Sequence, residues 1–269
     1  MSPPQEPGPG LVPADPALVV AAIARAGAGN PLLGIGVEGD DPGTTGDGTT
    51  GDADGVVAEI GTGQAGRLVG DVGAWLGHPE RRVAASLVVL GYAARLVGPT
   101  LAVLLRDGIV LDVRPDRVRY AYSPRRGFTL RLPEPAGWRT APDPLASDGL
   151  APDRLVPAWS ATVVDAHLRP FIDAVRSVVP VAAGLLWGNV ASGLTGALRA
   201  LADDGAAPLT RCHDTGLALL DRGPLRGSGD LTVHNARLSF RRRSCCLYYR
   251  IDGAGTCGDC PLERSSAQE

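Results

Sequence analysis

Cys245, Cys246, Cys257 and Cys260 form a C-C-x10-C-x2-C pattern inside RRRSCCLYYRIDGAGTCGDCPLE, and the remainder of the 269-residue chain holds one further cysteine, Cys212. Thiolate is a soft, anionic donor, so four within sixteen positions point to a metal centre, either zinc or an iron-sulfur cluster, and not to magnesium or calcium. Zinc sites commonly join two short C-x2-4-C chelates, and only Cys257-Gly258-Asp259-Cys260 has that form. Cys245 and Cys246 are adjacent, and on an extended segment neighbouring side chains point to opposite faces. Such a pair is awkward for one tetrahedral ion and better matched to a two-iron cluster, which presents several coordination directions. A zinc-stabilised knuckle used for interaction and a regulated dithiol or vicinal disulfide are the alternatives left open by spacing alone. Gly253, Gly255 and Gly258 suit turns that wrap backbone around a compact centre, where N–H groups near the sulfurs tune its potential. Arg242, Arg243 and Arg250 flank the cysteines; they either tune the centre and steer an anionic partner, or are solvent-facing arginines beside a strand.

Composition bounds the rest. With 44% apolar residues and a net charge of -3, the chain can bury a sizeable core and lacks the basic face of a nucleic-acid-binding protein. The start, MSPPQEPGPGLVPADPALVV, has neither the basic n-region nor the apolar h-region of a secretory signal. Val83 to Leu105, the most apolar stretch, is interrupted by Arg95 and Gly98-Pro99, whereas a membrane span needs about 20 apolar residues. A cytoplasmic address is therefore expected, and a reducing compartment argues against a disulfide framework. Lysine is absent while arginine is abundant, a pattern we read as the coding bias of a G+C-rich genome.

The elements that must position the cysteines follow from periodicity. Residues 1 to 14 are proline-rich and expected to be disordered. Val37 to Gly55 is a Gly/Asp/Thr stretch with little to bury, a flexible insertion without calcium-loop spacing. Helices are expected at Ala17–Ala26 behind an Asp15 cap, at Arg67–Leu76, and at Glu80–Val97 with Pro79 in its first turn and Gly98-Pro99 ending or kinking it before a short continuation, Thr100–Arg106. Ile109–Val113, Arg117–Tyr122 and Phe128–Leu132 read as a strand meander, and Pro133–Asp153 as a loop. Leu155–Val179 is helical with a break or kink at Pro170, followed by helices Leu185–Asp203 and Thr210–Leu220. Leu231–Phe240 alternates as a strand that delivers the chain to Cys245. The fold class expected is mainly helical α+β, with a small mid-chain β element and a metal-binding knuckle at the end.

The cysteine segment strongly resembles the FhuF family of ferric-siderophore reductases, whose carboxyl end carries C-C-x10-C-x2-C as ligands of a [2Fe-2S] cluster. The likeness includes Arg242-Arg243, Cys245-Cys246, Tyr249-Arg250 and Cys257-Gly258-Asp259-Cys260, and upstream Leu186-Trp187-Gly188-Asn189, similar to the family's aromatic, small residue and asparagine element. The resemblance implies a FhuF-like helical domain over 15–240 and the [2Fe-2S] motif at 241–263; the disordered start at 1–14 and the insertion at 37–55, read from composition, have no counterpart in the family, and 264–269 is a tail. It also implies that Cys245, Cys246, Cys257 and Cys260 hold the cluster, and that Trp187 and Asn189 either support it, line a substrate cleft, or act as a packed tryptophan and a helix-start asparagine.

The implied activity is one-electron reduction of Fe(III)-siderophore. Hard oxygen chelators hold Fe(II) much less well than Fe(III), so reduction releases iron. The chain has no P-loop, G-x-G-x-x-G fingerprint or Ser-His-Asp motif context, so the electron donor is external: a ferredoxin, a flavodoxin or a flavin reductase. Peripheral association with a siderophore transporter is compatible with this role. An electron carrier or redox sensor without a siderophore site is the rival reading. His167, His213 and His234 are expected to be structural or surface residues, His78 to sit at a helix start, and Cys212 to be a small buried side chain.

Overall fold

The computed structural model describes residues 10–37, 53–141 and 152–262. Asp15 caps the first helix, α1 (Pro16–Gly29), by accepting from the Ala17 amide at 2.8 Å, with Pro16 in the first turn where its missing N–H costs nothing. Residues 10–14 are ordered, contrary to the expected disorder: Leu11–Pro13 form a strand, β1. The 37–55 stretch also contributes structure at its ends, β2 (Gly36–Val37) and β3 (Ala53–Val56); residues 38–52 lie outside the described residues, as do 1–9, 142–151 and the tail.

α2 (Thr62–Leu76) ends at Gly77 in the left-handed region, and α3 runs from Arg81 to Asp107 as one helix of 27 residues, capped by Gly108 at φ 65°. The helix does not end at Gly98-Pro99. Thr100 Oγ1 donates to the carbonyls of Leu96 and Val97 at 2.9 and 3.1 Å, and the turn at residues 31–33 packs on Gly98, where a Cβ would lie 2.6 Å from the Leu32 oxygen. Packing on all sides outweighs the one amide that Pro99 removes. Among the described residues, α3 alone is long and apolar enough to cross a membrane, and 72% of its apolar window is buried inside the fold, as in a core helix.

The mid-chain strands are not one meander. β4 (Val110–Leu111) joins β1 and β7 (Gly137–Thr140) in a sheet ordered β1-β7-β4, while the hairpin of β5 (Arg119–Ser123) and β6 (Gly127–Leu132) is flanked by β2 and β3 in a sheet ordered β2-β6-β5-β3. Part of the supposed Pro133–Asp153 loop is therefore strand β7.

α4 (Pro152–Trp159) passes into a π-helical segment, Ser160–Leu168, and then α5 (Arg169–Val178), so the chain stays helical and Pro170 falls in the first turn of α5. The π segment delivers His167 to the core: its Nδ1 bonds the Val113 carbonyl and its Nε2 accepts from the Tyr92 hydroxyl at 2.6 Å. α6 (Ala183–Asp203) lies along α3, and α7 (Leu209–Leu220) packs on α6 and buries Cys212.

The final strand is a hairpin, β8 (Gly229–His234) and β9 (Arg237–Arg242), closed by Asn235 and Ala236 at φ 48° and 57°. Both turn residues are left-handed, as a two-residue type I′ turn requires. The result is the mainly helical α+β fold, with α3 and α6 as its central pair.

Candidate metal centre

Strand alternation places the residues that receive the cysteines. Along β9, Leu238, Phe240 and Arg242 face inward and Arg237, Ser239 and Arg241 outward, so Arg242 is carried into the protein and is 2% exposed. α6 makes room for it through Gly188, where a Cβ would lie 2.9 Å from Arg242 Nη2 and 2.2 Å from Ser244 Oγ. Arg242 Nη2 donates to the Leu185 carbonyl at 3.2 Å and Ser244 Oγ to that of Gly184 at 3.1 Å. The Arg242 amide donates to Asp259 O at 3.1 Å, which fastens the second cysteine pair to the strand carrying the first.

The two pairs are built alike. Leu247, left-handed at φ 65°, turns its amide to Cys245 Sγ at 3.3 Å, and the Leu262 amide donates to Cys260 Sγ at 3.4 Å. Cys246 and Cys260 are buried, Cys245 and Cys257 partly exposed. Cys246 Sγ and Cys257 Sγ lie 3.4 Å apart. Two thiolates bonded at ~2.3 Å to one tetrahedral metal are about 3.7 Å apart, so this pair already has the bite of two ligands on one ion. Among the described residues no three His, Cys, Asp or Glu side chains gather around a single point; a two-iron centre does not ask for that, since it shares four thiolates between two metals. As a free thiol Cys257 resists ionisation: burial first, then the adjoining Cys246 thiol, pushes it up to about 12. Metal loading must displace that proton.

Arg242 supplies the second test of fit. Among the described residues its Nε is buried without a hydrogen-bond partner. Burial draws its pKa below the ordinary arginine value, opposed by the Cys246, Cys257, Asp259 and Cys245 side chains. Asp259 is itself paired with Arg199 at 3.3 Å. Among the described residues this buried cation has no carboxylate of its own, and an anionic thiolate-ligated centre would provide the compensating charge.

Two anchors hold the segment against the helices. Ser86 Oγ in α3 donates to Cys246 O at 2.6 Å, and Asn189 Nδ2 in α6 donates to Ser86 O and Oγ at 2.7 and 2.9 Å, all buried. At the start of α3, Arg250 Nη1 donates to both Glu80 oxygens at 2.6 and 2.7 Å. His78 accepts from the Glu80 amide at Nδ1 (3.2 Å) and bonds the Arg250 carbonyl at Nε2 (2.9 Å), which makes it the neutral Nε2–H tautomer.

Residues 86–237 match the family described as the ferric iron reductase FhuF-like transporter, and residues 242–262 match the FhuF 2Fe-2S C-terminal domain. The first match alone spans more than half of the chain. The chain belongs to the FhuF family. Its cofactor is the [2Fe-2S] cluster of the FhuF C-terminal domain. No curated protein matches the sequence.

Within this FhuF chain the flanking residues separate. Arg242 is buried beside the cysteines, whereas Arg243 pairs with Asp230 at 2.6 Å on the solvent side and Arg250 serves the Glu80 tether. Asn189 lies within α6, not at its start, and joins the Ser86 relay to Cys246; Trp187 packs in the core with the Arg169 guanidinium 5.8 Å from its ring centre. His213 sits beside Asp214 at 3.3 Å and His234 is exposed at the β8 end. Ser86 and His78 were missed as parts of the site. Each lies more than 150 positions from the cysteines, and neither carries a local sequence signal.

Proposed function

We propose that this protein is a cytoplasmic ferric-siderophore reductase that takes one electron from an external ferredoxin, flavodoxin or flavin reductase and delivers it through the [2Fe-2S] cluster to Fe(III)-siderophore, releasing Fe(II). The observation that carries the reading is the buried Arg242 guanidinium, uncompensated by a carboxylate of its own and set among Cys245, Cys246 and Cys257. It makes an anionic centre at the thiolates electrostatically favourable.

In this reading Cys245, Cys246, Cys257 and Cys260 are the four ligands, and the 241–263 segment is the cluster motif seated on the 15–240 helical domain. The cluster supplies one-electron chemistry at low potential, about -400 mV for plant-type all-cysteine centres. The chain's own contribution is to hold the sulfurs. The Leu247 and Leu262 amides direct hydrogen bonds at Cys245 and Cys260, and Arg242 places positive charge beside the set; both raise the potential from the value of a bare cluster. Ser86 and Asn189 fix the Cys246 carbonyl, which limits reorganisation when the charge changes.

The test is anaerobic purification followed by absorption and EPR before and after dithionite, with iron, zinc and sulfide analysis of the same sample. Two irons and two sulfides per chain, a reducible signal, its loss in Cys245→Ser and Cys260→Ser, and oxidation of the reduced protein by ferric siderophore are expected. A colourless protein with one zinc would overturn the proposal.

A further inference from the structure

A cavity of about 330 Å³ opens between α3 and α6 and ends at Arg242, Cys257 and Asp259. Leu90, Ala94 and Gly98 line it from α3 and Ser192, Gly196 and Ala200 from α6, each set repeating every fourth residue on one helix face. Eight residues of helix span about 12 Å, so this is a groove the length of a small molecule. Leu32 and Leu33 close the far end.

The small residues along it have different reasons. A Cβ at Gly193 would lie 3.3 Å from Ala94 backbone atoms, so that glycine lets the helices meet. At Gly196 a Cβ would meet nothing within 4 Å. Glycine inside a helix is destabilising relative to alanine, and at Gly196 the missing side chain leaves that stretch of the groove open. Two polar atoms at the walls are also unpaired among the described residues. Ser192 Oγ is buried with no hydrogen-bond partner, and so is Nε of Arg242, itself 98% buried by its 2% exposure. Of the cysteines, only Cys257 lines the groove, and it is partly exposed, while Cys246 and Cys260 are 2% and 7% exposed.

We infer that the α3–α6 groove is the seat of the ferric chelate: the apolar framework of a low-molecular-mass Fe(III) chelate lies along the small-residue walls, its oxygen-ligated iron faces Cys257 and Arg242, and the electron leaves the protein by the Cys257 sulfur. This rests on the reductase reading above. The occupant is a small molecule because a cavity of about 330 Å³ falls in the range of roughly 300–1,000 Å³ typical of small-molecule pockets. The Arg242 cation at the end of the groove then attracts the chelate's anionic oxygens, and Ser192 Oγ turns into hydrogen-bond reach of them. In the step, one electron supplied by the external donor moves from the reduced protein to Fe(III), giving Fe(II) and oxidised protein, with no bond to the protein made or broken.

The experiment uses the cluster-loaded full chain, reduced with dithionite and desalted, then mixed anaerobically with a ferric trihydroxamate, a ferric tricatecholate or ferricyanide while visible absorbance reports reoxidation. Gly196→Leu and Ala200→Leu fill the groove; Gly70→Leu, at an exposed α2 position where a Cβ also meets nothing within 4 Å, is the comparison. Saturable reoxidation by at least one chelate is expected in the wild type. Its half-saturating concentration should rise about tenfold or more in the groove variants, with ferricyanide rates and the EPR spectrum unchanged, and Gly70→Leu should behave as wild type. Chelate saturation identical in all four proteins would overturn the groove assignment and leave the reductase reading standing. Failure of both chelates to reoxidise the loaded wild type would remove the reductase reading and the groove assignment with it.

Discussion

Replacing Arg242 with glutamine is the most direct probe of how the protein sets its redox level. The guanidinium is almost fully buried, its electrostatic neighbours are the Cys246, Cys257, Asp259 and Cys245 side chains, and Arg199 already occupies Asp259. Adding an electron to a thiolate-ligated centre adds negative charge beside this cation, so Arg242 favours the reduced state. At an effective dielectric of about 20 and a separation of roughly 6–8 Å, one unit charge is worth about 2–3 kcal/mol. For a one-electron couple, with about 59 mV per tenfold change, that corresponds to roughly 90–120 mV. Arg242→Gln should lower the midpoint potential by that order, and Arg242→Lys, which keeps the charge, should recover most of it. The assay is an anaerobic spectroelectrochemical titration of the loaded protein, with iron content confirming equal loading. A glutamine variant that stays loaded and titrates within about 20 mV of wild type would falsify the electrostatic argument, because even half the estimated coupling exceeds that shift.

Two other outcomes follow from buried groups outside the ligand set. His167 is fully buried, and desolvation lowers its pKa to about 4 in spite of the Val113 carbonyl bond. An unfolded histidine titrates near 6.5, so the neutral form's contribution is complete above pH ~6.5 and is lost as pH falls toward about 4, an effect on the order of 3 kcal/mol. Thermal unfolding measured across that window should steepen in wild type and flatten in His167→Gln; equal slopes would refute the assignment. Ser86→Ala removes the donor to Cys246 O and one acceptor of Asn189, so a loss of about 1–3 kcal/mol is expected from the buried groups left unpaired. It should also bring faster bleaching of the cluster under chelator, read by absorbance; a bleaching rate equal to wild type would sink that role.

How far the fold could be read from sequence depends on whether the signal was local. The Asp15-Pro16 start of α1 was legible because cap and first-turn chemistry act within three residues. The final hairpin was not: the usual type I′ signature is Asn-Gly, and here Asn235-Ala236 takes the same conformation, so the alternation from Leu231 to Phe240 looked like one strand. Gly98-Pro99 misled in the other direction. Its local preference is to stop a helix, yet α3 is enclosed by neighbours and continues.

By itself the sequence determined the donor set. Four thiols at this spacing restrict the chemistry to soft metals because ligand softness is a property of the residue type and not of the fold. Residue type also fixed the balance of charge and the helical character of the scaffold. The tertiary structure alone decided which of three similar arginines enters the protein, since only the period-2 register of β9 against α6 carries Arg242 inward while Arg243 pairs with Asp230 outside. It likewise decided that Ser86, His78 and Asn189 meet the cysteine segment, and that a groove between α3 and α6 opens on Cys257. Those relations join residues as far as 172 positions apart through packing, and no local pattern in the chain records them.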